Sequence, residues 1–302
     1  MTPGVLAIVA LSALLHAVWN VMLKSTGDPL RTSGRLLASS AAVYFPIAVL
    51  AWFLVGQPEI PAEALALGVL SAALQATYFI VLSAAYRRGD LSVVYPIARG
   101  SAPMFAVLAG VLILGEQLGM PGWLGIAALL GGILVVLRPW ETLRARGADR
   151  GAGATQTTAI LFAVATGLAI AAYSTVDRVG ARLVAPWIFA AIFFPLSAVM
   201  LMGWIRFVDG PRRHPGVPAV PGAAWGRATV TGLVSLAAYL LILFAYTMAP
   251  LTVVAPLRES AVVLVSGWGS IRLRETQGRS QTATRLLAAV LVVAGVTLLV
   301  LD

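Results

Sequence analysis

The chain has 302 residues, of which 60% are hydrophobic and 11% are charged, whereas about 25% of the residues in a typical soluble domain are charged. This number of charged side chains is too small to cover a soluble globule of this size. The composition therefore excludes a soluble enzyme, a disordered chain and a nucleic-acid-binding module. There is no Cys and there are only two His, which excludes disulfides and thiol chemistry. We expect neither a metal nor a cofactor.

Ten mostly apolar runs follow one another along the chain, and a run of about 20 such residues can span a membrane as a helix. The predicted helices cover residues 3–24, 32–55, 63–86, 91–114, 120–138, 157–180, 185–207, 223–248, 251–270 and 281–301. Most connections are short, so consecutive helices are expected to be antiparallel neighbours in one bundle. The sequence therefore predicts an all-α membrane protein with ten transmembrane helices.

The basic residues are distributed very unevenly between the two ends of these helices. Of the 21 Lys and Arg, only Arg178 and Arg182 fall on the side of the even-to-odd loops, and only Arg99 and Arg258 fall deep inside predicted helices, away from both ends. All the others lie at the opposite side. The positive-inside rule then places that side in the cytoplasm and both termini on the outer side of the cell inner (plasma) membrane. The net charge of +9 is thus interpreted as a topology signal, although anionic lipid headgroups would attract these loops.

The second half of the chain repeats the first. Each match is weak alone, but the matches keep their order across all five helices. With an offset of 160, Leu91, Val93, Val94 and Pro96 align with Leu251, Val253, Val254 and Pro256, and Ala-Tyr at 85–86 aligns with Ala-Tyr at 245–246. Tyr44-Phe45-Pro46-Ile47 also matches Phe193-Phe194-Pro195-Leu196, and Gly115-Glu116 matches Arg274-Glu275.

We divide the chain into repeat 1 (residues 1–140), a linker (141–156) and repeat 2 (157–302). Because each repeat has five helices, an odd number, the two repeats must cross the membrane in opposite orientations. Inverted repeats are typical of secondary transporters, whose substrate site lies near the midplane between the halves.

This layout and its motifs resemble the drug/metabolite transporter superfamily, specifically its EamA-type members, over essentially the whole chain. The motifs are His16-Ala17-Val18-Trp19-Asn20 with Lys24, the Ala-Tyr then Pro signature of helices 3–4 and 8–9, and Leu114-Gly115-Glu116. The resemblance implies export, or sometimes uptake, of small metabolites such as amino acids. Related transporters are usually drawn with both termini in the cytoplasm, whereas the charge count places them outside. Helix 1 lacks the membrane-embedded Glu of the small multidrug-resistance branch, which disfavours a cation/proton antiporter of that kind.

Two arginines are predicted deep inside helices. Arg99 lies about nine residues into helix 4 and Arg258 about eight into helix 9, which corresponds to about 13 and 12 Å at 1.5 Å per residue. Both guanidinium groups are therefore expected near the midplane of a core of about 30 Å. Each closely follows a proline, Pro96 or Pro256, that can kink the helix and shape a cavity. Either the arginines bind an anionic group of the substrate, or Glu259 neutralises one of them as a structural ion pair.

Other polar and aromatic side chains complete the candidate site. His16 and Asn20 are four residues apart, so they share a face of helix 1 beside Trp19; they line the pathway or form an interhelical hydrogen-bonding stripe. Tyrosines with polar tips either line a site for a small organic molecule or only pack. The candidate substrate-binding residues are His16, Trp19, Asn20, Gln75, Tyr78, Tyr95, Arg99, Tyr173, Tyr239, Arg258 and Glu259.

Two further expectations concern residues outside that set. Asp177 shares a face of helix 6 with Tyr173 and is expected near the outer end, in an ion pair with Arg178 or Arg182. Gly131-Gly132 in helix 5 and Gly295 in helix 10 predict close helix contact.

The sequence predicts a secondary active transporter of the inner membrane rather than an enzyme. Alternating access would move a small polar metabolite (an amino acid, carboxylate or phosphonate-like compound), with export favoured, through a central cavity lined by helices 1, 3, 4, 6, 8 and 9. Coupling to protons or to an exchanged solute stays open. The alternatives are a non-transporting sensor or assembly subunit, with both arginines sealed by Glu259, and a lipid-modifying membrane enzyme. The expected partners are the substrate and membrane lipids, without nucleic acid, and the protein is expected to be a monomer or homodimer.

Overall fold

The computed structural model describes residues 2–24, 28–89, 91–137, 153–209, 224–259 and 279–301. Ten α-helices occupy these ranges, and no strand occurs within them. They are α1 (Pro3–Lys24), α2 (Pro29–Leu54), α3 (Ala62–Tyr86), α4 (Leu91–Leu112), α5 (Met120–Leu137), α6 (Gly153–Leu183), α7 (Pro186–Trp204), α8 (Trp225–Met248), α9 (Leu251–Glu259) and α10 (Arg279–Leu301). A short π-helix (Ile205–Asp209) continues α7.

The ten predicted helices are confirmed, with most boundaries shifted by a few residues. The largest difference within the described ranges is α6, which begins at Gly153 and ends at Leu183 instead of covering 157–180. The predicted linker therefore overlaps α6 at its end, and its residues 141–152 lie outside the described part. Residues 260–270 of the predicted ninth helix also lie outside it.

Helix ends follow from local sequence where polar residues or prolines interrupt the apolar runs. Asp28 caps α2, because its Oδ1 accepts hydrogen bonds from the backbone amides of Leu30 (2.9 Å) and Arg31 (3.2 Å). Pro29 suits the first turn because it has no backbone N–H that would need an acceptor there. Past its other end the chain turns at Gly56, whose φ of +86° favours glycine.

The bundle is apolar outside and carries its polar groups inside. Within the described ranges, five helical stretches are long and apolar enough to cross a membrane by length and composition: Pro29–Leu54, Ala62–Tyr86, Thr157–Leu183, Pro186–Val208 and Trp225–Met248. Large apolar side chains such as Leu54 and Leu112 are more than three-quarters exposed, whereas Arg99, Asp177 and Glu259 are buried. A hydrocarbon solvent requires this distribution, because charged groups avoid lipid and apolar groups do not.

The two repeats are interleaved rather than standing side by side. Many of the closest helix pairs come from different repeats, namely α3 with α6, α4 with α6, α1 with α8, α2 with α7, and α5 with α10. When each helix is replaced by its equivalent in the other repeat, the pair α3–α6 becomes α8–α1 and the pair α3–α7 becomes α8–α2. All four of these helix pairs are in contact. The helices thus form two inverted five-helix repeats related by an approximate two-fold axis.

Helices α5 and α10 cross at positions occupied by glycine in both helices, as the sequence predicted. A Cβ added to Gly295 would lie 2.7 Å from the carbonyl oxygen of Gly125 and 2.9 Å from the backbone nitrogen of Leu129. Gly132 is similarly tight, with the Ala288 carbonyl oxygen at 3.0 Å, whereas Gly131 meets only a Leu291 methyl at 3.9 Å. The prediction of close helix contact is confirmed for Gly132 and Gly295, since backbone atoms as well as side chains lie opposite at 3.0 Å or less.

Gly295→Leu is therefore expected to destabilise the protein by about 2 kcal/mol, because overpacking forces backbone apart. The matched control is Gly203→Leu, since a Cβ there meets nothing within 4 Å. Thermal unfolding of the detergent-solubilised proteins should show a lower midpoint for the first variant only. Equal midpoints for the two variants would contradict this packing.

Candidate functional site

Three charged side chains meet at the centre of the bundle. Glu259 Oε2 accepts a hydrogen bond from Nη1 of Arg99 at 3.3 Å. Its Oε1 lies 3.2 Å from Nε and 3.1 Å from Nη2 of Arg258. Arg99, Arg258 and Glu259 are only 8%, 3% and 2% exposed. One carboxylate therefore serves two guanidinium groups in a place that bulk water does not reach.

The pair Arg99–Glu259 marks the approximate two-fold axis. The two residues are 160 positions apart, which is the repeat offset of helices 4 and 9, so Glu259 is the repeat equivalent of Arg99. A residue can touch its own equivalent only near the axis that relates the repeats, as in an isologous interface. The axis therefore passes through an ion pair, and Arg258 lies one residue to the side of it.

One guanidinium nitrogen of Arg258 has no hydrogen-bond partner among the described residues. Its Nη1 is buried and makes no hydrogen bond to any atom in the described ranges, although Nε and Nη2 both reach Glu259. Buried polar atoms are almost always hydrogen-bonded, so an exception calls for a physical reason. A donor on a cation, in a cluster with two cations and one anion, is the arrangement that an additional anionic group would complete.

Helix α1 covers this cluster with an aromatic pair. The indole Nε1 of Trp19 donates to Nδ1 of His16 at 3.1 Å, and the two rings meet edge to face with centroids 5.0 Å apart. The Nε2 atom of His16 lies 3.4 Å from Nη1 of Arg99. His16 thus lies between Trp19 and Arg99, while the side chain of Asn20 is outside the described part.

Tyrosines from four helices surround the charged cluster. The ring of Tyr95 lies 5.8 Å from the guanidinium carbon of Arg99, within the range of a cation–π contact. The rings of Tyr78 and Tyr173 are 5.9 Å apart, and those of Tyr173 and Tyr239 are 6.1 Å apart. Tyr78 is also within electrostatic range of Arg99. The chain of rings connects the central cluster to a second buried carboxylate.

That second carboxylate is Asp177, and its predicted ion pair is wrong. Asp177 is fully buried and accepts hydrogen bonds from the hydroxyl groups of Ser71 on one oxygen and Tyr239 on the other. Gln75 extends this network, because its Nε2 donates to the Ser71 hydroxyl at 3.2 Å. The side chain of Arg178 instead contacts Glu116 and the backbone carbonyl of Tyr246, and Arg182 is at an exposed position. The cause is the length of α6, which continues past Asp177 to Leu183 and so leaves Asp177 inside the bundle.

The predicted residues come from helices α1, α3, α4, α6, α8 and α9, and the structure brings those six helices to one centre. Ser71 and Asp177 are hydrogen-bonded to members of the predicted set, Tyr239 and Gln75, but were absent from that set. Asp177 was detectable from its four-residue spacing to Tyr173, whereas Ser71 gave no signal, because small hydroxyl residues are common in membrane helices. Among the described residues the cluster is tightly enclosed, since Arg99, Arg258 and Glu259 are all buried. A cavity of about 300 Å³ lies elsewhere, between α2 and α7, against Phe45, Trp52 and Trp187.

Comparison with known proteins agrees with this architecture. The model of the EamA-like transporter family matches residues 2–138 and again residues 157–301. The chain is similar to the spermidine export protein MdtI of Shigella flexneri, with 38% identity over 69 residues, which are 23% of this chain and 63% of that protein. The chain is also similar to MdtI of Escherichia coli strain K12 / DH10B, with 36% identity over 69 residues, which are again 23% of this chain and 63% of that protein.

The match thus spans slightly less than two thirds of the length of these relatives. A solved crystal structure aligns with a TM-score of 0.71 over 100% of this chain and 99% of that chain, at 16% sequence identity. That likeness shows a shared fold.

Proposed function

Because the chain belongs to the EamA-like transporter family, we propose that it exports a small polar metabolite carrying a carboxylate or phosphonate-like group across the inner membrane. Transport would proceed by alternating access, with the two inverted repeats moving about the axis that passes through Arg99 and Glu259. The family match indicates membrane transport. The proposed class of substrate is argued from the residues of this chain.

The observation that carries the proposal is the unpartnered Nη1 of Arg258. An anionic substrate group placed against it would satisfy this donor and offset the second positive charge of the cluster. Guanidinium groups suit carboxylates and phosphonates because their planar donors bind two oxygens at once. The surrounding tyrosine rings offer apolar faces with polar tips, as expected for a small organic molecule.

The sensor or assembly-subunit alternative expects Glu259 to seal both arginines, and Glu259 does contact both of them. We favour transport because Nη1 of Arg258 still has no acceptor among the described residues. A lipid-modifying enzyme needs an acid/base pair at the membrane interface, whereas the carboxylates of Asp177 and Glu259 lie in the bundle centre and are bonded to hydroxyl and guanidinium groups. The closed centre is the arrangement expected of an occluded state in a transport cycle.

The relatives named above are exporters of spermidine, a polyamine cation. For this chain we favour an anionic group, because a cation would meet two guanidinium groups, and Glu259 already accepts from both. Asp177 stands within electrostatic range of Arg258, so the amino group of an amino acid could lie near it. Carboxylates, phosphonates and amino acids therefore belong to one panel, with spermidine as the contrasting compound.

Purified protein in liposomes, loaded with each radiolabelled compound of that panel, tests the proposal. Efflux of at least one anionic or zwitterionic compound is expected, and Arg182→Ala, at an exposed position of α6, should leave it unchanged. Efflux of spermidine alone, or of no compound by a folded protein, would overturn the proposed substrate class.

The charge distribution predicts that both termini face the periplasm. A periplasmic phosphatase fused after residue 302 should therefore be active in cells, and a cytoplasmic reporter at the same point should be silent. Fusions to the 208–222 connection, on the basic side, provide the opposite control. The reverse pattern would mean that the termini are cytoplasmic, as related transporters are usually drawn.

A further inference from the structure

A carboxylate of the first repeat caps a helix of the second repeat. Oε1 of Glu116 accepts a hydrogen bond from the backbone amide of Leu251 at 2.7 Å, and Oε2 accepts one from the amide of Thr252 at 2.9 Å. These are the first two residues of α9, whose amides have no partner within the helix. The negative charge also lies at the positive end of the helix dipole.

Two glycines let Glu116 reach that position. Gly115 has a φ of +64°, a conformation that glycine adopts without strain, and it turns the chain back after α4. A Cβ on Gly110 would lie 2.7 Å from Oε2 of Glu116 and 3.4 Å from the backbone nitrogen of Thr252. The amide of Glu116 itself donates to the carbonyl of Gly110 at 2.9 Å. The backbone around Glu116 is therefore shaped to present its carboxylate to α9.

Arg178 of α6 completes the contact. Its Nε lies 3.4 Å from Oε1 of Glu116, and its Nη1 donates to the backbone carbonyl of Tyr246 near the end of α8. The side chains of Arg178 and Glu116 are 11% and 10% exposed. We call the contact of Glu116 with Arg178 and the amides of Leu251 and Thr252 the Glu116 latch.

The Glu116 latch joins the repeats at one end of the bundle. Glu116 follows α4 of repeat 1, whereas α6, α8 and α9 belong to repeat 2. Charge-assisted hydrogen bonds in a place sheltered from water are among the strongest polar contacts in proteins. Alternating access requires the repeats to separate at each end in turn, so this end cannot open while the latch holds.

We propose that the Glu116 latch is a gate of the transport cycle: it holds this end closed and must break before the central site becomes accessible from it. The proposal rests on the proposed function, since only a transporter has two alternately open ends. Under the proposed orientation this end faces the periplasm. Glu116 is here a gating residue that acts through α9 and touches no substrate.

A single thiol reports on the opening of this end, because the chain has no Cys. Thr252 is fully buried, and Thr252→Cys keeps the backbone amide that Glu116 binds. The reporter for the other end is Ala159→Cys, because Ala159 is fully buried against Ala85 and Val94 there. The rate of labelling by a water-soluble maleimide is measured on the solubilised full chain.

Adding Glu116→Ala should raise the labelling rate of Cys at position 252 about tenfold, which corresponds to about 1.4 kcal/mol, without raising the rate at position 159. Glu116→Gln keeps one acceptor oxygen and should give an intermediate rate. Glu63→Gln, at an exposed position of the first turn of α3, should change neither. Unchanged labelling at 252, or equal increases at both positions, would overturn the gate, because a cap that only stabilises the fold loosens both ends.

A cross-link gives a second readout that does not depend on the stability of Glu116 variants. In the double variant Gly110→Cys/Thr252→Cys a disulfide between α4 and α9 takes the place of the Glu116 latch, because a Cβ at Gly110 would displace Oε2 of Glu116. Oxidation should lower transport at least tenfold, and dithiothreitol should restore it in the same sample. Transport at equal rates before and after complete cross-linking would overturn the gate. Absence of transport by the unmodified chain would instead contradict the proposed function, while the labelling result stays informative.

Discussion

Arg258→Ala is expected to lower efflux of the anionic substrate about a hundredfold. The change removes a charge-assisted hydrogen bond at a buried position, which contributes about 3 kcal/mol, and that energy corresponds to roughly a hundredfold. The fold should survive, because Glu259 keeps its ion pair with Arg99. Initial rates in liposomes at several substrate concentrations separate a weaker affinity from a slower cycle.

The conservative variant Arg258→Lys retains the charge but loses the planar donors, so an intermediate loss of about tenfold is expected. Arg182→Ala again serves as the control for a positive charge removed from an exposed position. Efflux by Arg258→Ala at the wild-type rate would show that the unpartnered nitrogen has no part in substrate binding.

Glu259→Ala is expected to have the largest effect on stability. It leaves two buried guanidinium groups without their shared carboxylate, and removing one partner of a buried ion pair typically costs about 3–5 kcal/mol. Thermal unfolding in detergent should show a large fall in the midpoint or no folded protein at all. Glu59→Ala, at an exposed loop carboxylate, should behave as the wild type.

The double variant Arg99→Ala/Glu259→Ala separates charge from packing. It removes one charge of each sign and should be more stable than Glu259→Ala alone, because only one guanidinium group remains uncompensated. A double-mutant cycle isolates this coupling. Strictly additive losses for Arg99→Ala and Glu259→Ala would mean that their ion pair does not stabilise the centre.

Most of the fold was predictable because hydrocarbon leaves few choices. An apolar run of about 20 residues can satisfy its backbone there only as a helix, and the uneven placement of Lys and Arg supported an unbroken alternation of ten spans. Boundaries were less accurate, as the helix from Gly153 to Leu183 shows. Alanine, glycine and threonine extend α6 at its start, and hydropathy alone does not mark where such a helix begins.

The candidate site was predictable in its members but not in its pairings. A charge or polar group inside an apolar helix is conspicuous, so Arg99, Arg258 and Glu259 stood out. Which atoms meet depends on helix rotation and crossing, which a single sequence does not specify. Asp177 was misplaced because its depth depends on the length of α6. Glu116 belonged to a recognisable Leu-Gly-Glu motif, yet only the folded chain brings its carboxylate to the amides of Leu251 and Thr252.

The most direct test of the account compares a transported carboxylate with its neutral carboxamide as competitors of efflux. If the anionic group binds Nη1 of Arg258, the wild type should prefer the carboxylate by about a hundredfold, as one buried charge-assisted hydrogen bond implies. Arg258→Ala should lose most of that preference. Equal inhibition of the wild type by the carboxylate and the carboxamide would contradict the central claim that this site recognises an anionic group.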